Sequence, residues 1–369
     1  MIKALSISLK PLIRGDPMAK GQHQRERTTL YEVASRAGVS PSTVSLVLAG
    51  KADQRRIPQA TRERVWSAAE ELNYAPNLLV RSLRRGRTHV VSFYSTFRNR
   101  KRGDLYMDRI ASAVETAGGE FGYDVLVHCN FRRTPRETYQ FLNGGLADGL
   151  LLFAPTKDDP LLGLLRQSSL PVVILNGIDE RGQYSSASDD VEQGMELVAT
   201  ELLARGHRSI AAIGSVGDDV RDSVPRIDLL RRNLAERGVE LSGDRIEWIS
   251  FDPGESMERL LSLRDRPTAL FCWHDAVAYR VLEWCEANGV SVPGDLSIVG
   301  YDGVHWPSTS RHICASVEVD LDAIALAAVR LLDEAINRPG SPARHESVPV
   351  RFSAGTTLAM PSHLQWSKP

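Results

Sequence analysis

The sequence predicts two parts of different class: an all-α N-terminal head, and an α/β body of doubly wound parallel sheets in two lobes. Three observations carry this expectation. Between residues 28 and 75, apolar residues recur at helical spacing, with cap residues between the runs. From residue 89, the short apolar runs HVVSFY, YDVLVHC, GLLLFA, PVVILN, SIAAIG, EWISF, TALFCW and LSIVGYD alternate with amphipathic segments, the pattern of buried parallel strands joined by crossover helices. The chain has 369 residues, too many for one ordinary core.

In TTLYEVASRAGVSPSTVSLVLAG, residues 28–50, Leu30, Val33, Ala34 and Ala37 share one helical face. Thr29 with Glu32 makes a capping box, and Gly38 ends the helix in the left-handed conformation. Val39 fills the corner. Ser40 caps a second helix, and Pro41 takes its first position, where no amide hydrogen is needed. The second helix buries Val44, Val47 and Leu48, and Ala34 is small where the two helices cross. Two short helices, a tight turn and one shared buried set make a helix-turn-helix, a unit that reads double-stranded DNA with the start of its second helix. On that geometry Pro41, Ser42, Ser45 and Leu46 face away from the core. Ser42 bonds several bases without much discrimination. Leu46 either packs on a thymine methyl or folds back against Trp66 or another core residue. A third helix is expected in IPQATRERVWSAAEELNY, with Val65, Ala68, Ala69 and Leu72 inward and Pro76 as its stop.

The stretch APNLLVRSLRRGRT, residues 75–88, starts a short segment capped by Asn77 and carrying Leu79, Val80 and Leu83. It is below the roughly 12–15 residues that give even a marginal isolated helix. Arg81, Arg84 and Arg85 repel one another on it. It folds where apolar contact and negative charge arrive together, as from a second copy and a DNA minor groove, or else it is a flexible basic linker. Residues 1–88 hold 16 Lys+Arg against 7 Asp+Glu, and the remainder 29 against 39, so a basic head sits on an acidic body and suits a polyanion.

The stretches TLYEVASRAGVSPSTVS, TRERV, ELNYAPN and RSL resemble the head of the lactose-repressor (LacI/GalR) family of bacterial transcription regulators, and the resemblance runs to about residue 358. It implies operator contacts from Thr29, Tyr31, Ser40, Pro41, Ser42, Thr43, Ser45 and Leu46. It also implies a hinge helix, formed on DNA by a dimer, with Asn77, Arg81 and Arg84 on it and Leu83 wedged into the minor groove. Two departures matter. The family commonly has arginine where this chain has Leu46, which removes a bidentate guanine contact. The loop AGKADQRRI is about three residues longer than usual and carries Arg55 and Arg56, placed for phosphate contacts that position without specifying.

In the body, GHRSIAAIG, PTALFCWHDAVA and VPGDLSIVGYDG resemble the periplasmic-binding-protein-like effector domain of that family. The resemblance implies two lobes joined by three crossovers, with a ligand at the carboxyl ends of the strands. It places effector contacts on Asn176, Arg226, Phe251, His274 and Asp302. A guanidinium fork and a carboxylate suit a polyol or sugar. His274 stands where the family usually has asparagine, which leaves the ligand's identity open.

There is no G-x-G-x-x-G after the first strand, no G-x-x-x-x-G-K-[ST] and no G-x-S-x-G; GGEFG at 118–122 reads as a helix-end turn. No catalytic residue, cofactor or metal is expected. Cys129, Cys272, Cys285 and Cys314 form no C-x-x-C pair and are expected reduced. No apolar run approaches the roughly 18 residues of a membrane span. The expected boundaries are a disordered tail at 1–27 with Met18 as an alternative start, the head at 28–75, the hinge at 76–88, the body at 89–358 and a polar tail at 359–369. The expected protein is a cytoplasmic homodimer that binds operator DNA and a sugar-like effector. A purine co-repressor, or a sugar-binding metabolic protein with an incidental basic head, are the alternatives.

Overall fold

The computed structural model describes residues 28–75, 82, 86–95, 104–128, 132–156, 158–216, 220–250 and 252–362. They divide into two units, one ending at Gly86 and one beginning at Arg87.

The head holds three helices, α1 (Leu30–Ala37), α2 (Pro41–Leu48) and α3 (Gln59–Glu71). The capping box is present: the Glu32 N–H donates to Thr29 Oγ1 at 3.3 Å, and the Thr29 N–H donates to the Glu32 carboxylate at 2.6 Å. Gly38 ends α1 at φ 65, a conformation that costs a side-chain-bearing residue more. Val33, Val44 and Val65, one from each helix, are fully buried at the centre. Each contributes about 1.5–3 kcal/mol by leaving water. Leu48 and Leu72 pack on this core from its edge, half-buried. α3 stops earlier than a proline stop at 76 would place it. Asn73, at φ 46, takes the left-handed position, and the Tyr74 N–H donates to the Ala69 carbonyl at 2.8 Å. The asparagine side chain makes that backbone tolerable, so a Schellman-type end replaces the proline.

The body is built on two six-stranded sheets. The first takes β1 (Val90–Ser95), β2 (Asp124–Val127), β3 (Gly149–Phe153), β4 (Val172–Leu175), β5 (Ser185–Asp189) and β11 (His345–Val348), in the order β11-β5-β4-β3-β1-β2. The second takes β6 (Ile210–Ser215), β7 (Ile246–Ile249), β8 (Ala269–Cys272), β9 (Ser297–Asp302), β10 (Ala315–Glu318) and β12 (Arg351–Ser353), in the order β12-β10-β9-β8-β6-β7. All pairings are parallel except β10 with β12. The helices are α4 (Leu105–Glu120), α5 (Pro135–Leu142), α6 (Pro160–Leu165), α7 (Val191–Ala204), α8 (Val220–Ala235), α9 (Gly254–Ser262), α10 (Asp275–Ala287) and α11 (Leu321–Asn337). The chain passes between the sheets after β5, after β10 and after β11, which gives the three expected crossovers.

Two strands were not expected. β5 reads SSASD and β10 reads ASVE, neither an apolar run, yet both are mostly buried. Their polar groups are satisfied from neighbouring elements. Ser186 Oγ meets His345 Nδ1 at 2.9 Å, and Ser316 Oγ donates to Asp275 Oδ1 at 2.7 Å. The residue after the expected end of the body is tied to it. The Ala359 N–H donates to Ser297 Oγ at 3.1 Å, and its carbonyl pairs with the buried His207 Nε2 at 2.8 Å. Cys272, Cys285 and Cys314 are free and buried. Among the described residues no helix is long and apolar enough to cross a membrane.

Candidate functional site

In the head, the expected reading face is the start of α2. Ser40 is spent on the helix: its Oγ accepts from the Thr43 N–H at 3.2 Å and pairs with the Thr43 hydroxyl at 2.9 Å. Thr29 is likewise tied up in the capping box. Ser42 is exposed, and Pro41, Ser45 and Leu46 are half-exposed. The apolar side chains that pack on the head core from its edge are Leu30, Val39, Leu48, Ile57, Leu72 and Tyr74, a set without Leu46. Trp66, the other proposed resting place for Leu46, is itself 55% exposed. α2, PSTVSLVL, carries no charged residue. The positive charges that follow it in sequence are those of the next turn. Arg55 and Arg56 are exposed in a turn at 52–57, anchored at one end by buried Ala52 and at the other by Arg62. Arg62 donates to the Ile57 carbonyl at 2.8 Å and pairs with Asp53 at 2.6 Å. Tyr31, on α1, is 74% exposed. Asn77, Arg81, Leu83 and Arg84 lie outside the described residues, as does Phe251.

In the body, Arg226 on α8 and Asp302 at the end of β9 come together although 76 positions apart. Arg226 Nη2 lies 3.4 Å from Asp302 Oδ1, and Nη1 donates to the Trp273 carbonyl at 2.7 Å. Both side chains are more than nine-tenths buried, and Asp302 holds φ 104, strained for a residue with a Cβ. The Arg226 guanidinium also lies over the Tyr301 ring, 3.7 Å from its centroid. Tyr301 in turn reaches across the lobes: its hydroxyl donates to Asp189 Oδ2 at the end of β5, at 2.6 Å. Burial, and the carboxylate of Asp189 beside it, push that phenol well above its ordinary range.

His274 caps α10: its Nδ1 accepts from the Val277 N–H at 3.0 Å. A nitrogen that accepts holds no proton, so the neutral ring carries its proton on Nε2. Burial, with the charges of Arg226 and Arg280, takes its pKa down to about 3. The next residue, Asp275, turns inward. Its Oδ2 accepts from the Val304 N–H at 2.6 Å and its Oδ1 from Ser316. Desolvation lifts its pKa to about 7 despite those bonds. Gly300 exists for this carboxylate: a Cβ there would sit 2.1 Å from Asp275 Oδ1. Asp275 thereby ties the turn after Asp302 to β10.

Of the residues expected at the cleft, the structure brings Arg226 and Asp302 into contact, with His274 close enough for the Arg226 charge to act on it. Asn176 sits at the carboxyl end of β4 on the other sheet, at φ 58, its N–H donating to the Ala187 carbonyl at 2.8 Å. Sequence reasoning passed over Trp273, Tyr301 and Asp189, and weighed Asp275 only as a catalytic neighbour of His274, a reading it set aside. The signal available was adjacency, since Trp273 and Asp275 flank His274 and Tyr301 precedes Asp302. A separate cavity of about 120 Å³ opens beside β3 and β4, walled by Thr156, Asp158, Arg166, Ile178 and Asp179 among others; none of the expected effector residues lines it. There Asp179 is held down to about 2: burial alone would raise it, but Arg166 and three backbone N–H groups win. Among the described residues no group of His, Cys, Asp and Glu is placed to hold a metal ion.

With this geometry in hand, comparison with known proteins gives a consistent result. Residues 29–77 match the bacterial regulatory proteins of the lacI family, and residues 199–358 match the periplasmic binding protein-like domain. The chain is similar to the HTH-type transcriptional repressor PurR of Photobacterium profundum, 30% identical over 283 residues, 75% of this chain and 82% of that one. It is similar to the catabolite control protein A of Priestia megaterium, 26% identical over 315 residues, 84% of this chain and 93% of that one. Among solved structures, the transcriptional regulator CelR in complex with cellobiose matches with a TM-score of 0.66 and 26% identity, over 90% of this chain and all of that one. A DNA-reading head and a two-lobed binding body on one chain, matched along most of its length, have one source: the chain belongs to the lacI family of bacterial regulatory proteins, as a DNA-binding transcriptional repressor.

Proposed function

We propose that this repressor answers to a small hydroxylated ligand, a sugar or sugar derivative, bound beside Arg226 and Asp302, and that it controls carbohydrate-related genes. The observation that carries the reading is the buried Arg226–Asp302 pair at the carboxyl end of β9. It offers a planar donor fork next to a carboxylate acceptor, the complement of neighbouring hydroxyls. CelR, a relative in fold and sequence, is seen with cellobiose.

The protein acts as a cytoplasmic homodimer on a two-fold operator. In each half-site Pro41, Ser42, Ser45 and Leu46 face the major groove, Thr29, Tyr31, Ser40 and Thr43 lie along its backbone edge, and Arg55 and Arg56 meet phosphates. Leu83 from both subunits wedges the central minor groove, with Asn77, Arg81 and Arg84 beside it. Asn176, Phe251 and His274 complete the cleft. The ligand closes the cleft and changes the hinge spacing, which requires that it bind the two states of the dimer unequally.

The names of the PurR relatives favour a second reading, in which a purine tightens DNA binding. Gel shifts on a palindrome from the protein's own promoter separate the readings. A ligand that releases DNA supports the first, and one that tightens it supports the second. No sequence-specific binding at moderate salt removes both.

A further inference from the structure

The hydrogen-bonding groups around the Arg226–Asp302 pair are unevenly distributed. His274 has committed Nδ1 as an acceptor to the Val277 N–H, which leaves the neutral ring's proton on Nε2 as a donor. Trp273, 6% exposed, keeps its indole Nε1–H buried with no partner among the described residues. Its ring centroid lies 3.9 Å from that of His274. A buried donor left without an acceptor is costly, and in native proteins such a group is answered by an ordered water or ion or marks a functional site.

The acceptors nearby are already taken. The Trp273 carbonyl receives Arg226, the Asp302 carboxylate faces the same guanidinium, and Asp275 is turned to Val304 and Ser316. Arg226 and Arg280 both act on the His274 ring, with Asp302 against the first and Glu283 and Asp252 acting on the second, and the ring lies at the N-terminal end of thirteen-residue α10, an end that favours an anion.

We infer that the ligand of this cleft carries an acceptor-only oxyanion, a carboxylate or a phosphate, on a hydroxylated frame, and that the oxyanion docks on the N–H groups of Trp273 and His274 while hydroxyls meet Arg226 and Asp302. This rests on the reading above that the effector binds beside Arg226 and Asp302, and it narrows the class from sugars to acidic sugars.

The test is calorimetry and thermal shift on the full-length protein with matched pairs: glucose against glucose 6-phosphate, glucose against glucuronate and gluconate, galactose against galacturonate, with hypoxanthine as the neutral heterocycle. At least one acid binds tenfold or more tightly than its neutral parent, and the carboxylate and phosphate arms tell which oxyanion fits. His274→Asn keeps an acceptor for the helix cap but loses the ring donor, and Trp273→Phe keeps bulk but loses the indole N–H. Each lowers affinity for the acid about tenfold and narrows its preference over the neutral parent, with the ligand-free melting temperature as the check on folding. Should one variant fail to fold, the other alone decides. Neutral sugars or hypoxanthine binding as tightly as any acid, or no binding across the panel, overturns the inference. A neutral ligand whose binding is lost in Arg226→Gln overturns it while leaving the cleft reading in place. A ligand that binds Arg226→Gln as it binds the wild type overturns the cleft reading itself.

Discussion

The reading helix and the cleft solve opposite problems. α2 has no charged residue, shows Ser42 and Leu46 outward, and is followed in sequence by the positive charges of the Arg55–Arg56 turn. The cleft buries its charges: Arg226 and Asp302 are more than nine-tenths covered, and His274, Asp275 and Tyr301 around them have displaced titrations. On the proposed reading the head separates affinity, from flanking cations on phosphate, from discrimination, left to methyl contacts and DNA shape. In the cleft the same few groups supply both. Mutations should accordingly be graded in the head and abrupt in the cleft.

The most abrupt is Arg226→Ala. It leaves the Asp302 carboxylate buried without its cation, and breaking a buried pair from one side costs about 3–5 kcal/mol. Urea unfolding followed by circular dichroism measures it; a loss below 1 kcal/mol would mean that the pair is solvated and the contrast false. Next comes Leu83→Ala, expected to weaken specific operator binding on the order of 2 kcal/mol, a wedge's share of opening one base step, while hardly touching binding to random DNA. Equal losses on both would remove the wedge. Leu46→Arg should install a guanine preference of about 1–3 kcal/mol at one operator position. A binding-site selection that returns the wild-type consensus would put Leu46 back in the core.

The smallest expected effect separates the two units by pH. His274 and His128 are held neutral by burial, with pKa values down at about 3 and about 4, while each takes a proton near 6.5 when unfolded. Each histidine therefore costs the body roughly 1 kcal/mol per pH unit as pH falls from 6.5 toward 4, while Asp275, lifted to about 7 in the fold, binds its proton first in the folded state and offsets one of them, so the net decline is that of about one histidine. Residues 28–75 contain no histidine. Between pH 7 and 5 the head's melting should stay level while the body's falls, and His128→Phe should flatten part of that fall. A body transition that is level over this range contradicts the burial of these rings.

The same contrast decides what could be read from the sequence. Every device that shapes the head acts within a few residues: the Thr29–Glu32 box, Gly38, the Ser40–Pro41 start and the spacing of Val33, Val44 and Val65. Its one misplacement, the end of α3, came from giving the stop to Pro76 when Asn73 had already supplied the left-handed turn. The body's apolar strands were equally plain. β5 and β10 were not, because their buried serines are paid for by partners far along the chain, His345 and Asp275, which no local periodicity reveals. The cleft residues were placed by family resemblance, motif by motif. What resemblance could not give is how they are wired: the stacking of Arg226 on Tyr301, the bond from Tyr301 to Asp189 in the other lobe, and the donor left open on Trp273.

One measurement bears most directly on a ligand in this cleft governing DNA binding by the head. Operator affinity of the full-length protein is measured with and without the ligand that emerges from the calorimetric panel, for the wild type and for Asp302→Asn, which keeps the side chain's shape but not its charge. The expected result is that ligand changes wild-type affinity at least tenfold while Asp302→Asn binds the operator as the wild type does and no longer responds. Asp302→Asn answering the same ligand, at the same concentration and by the same factor, would contradict it.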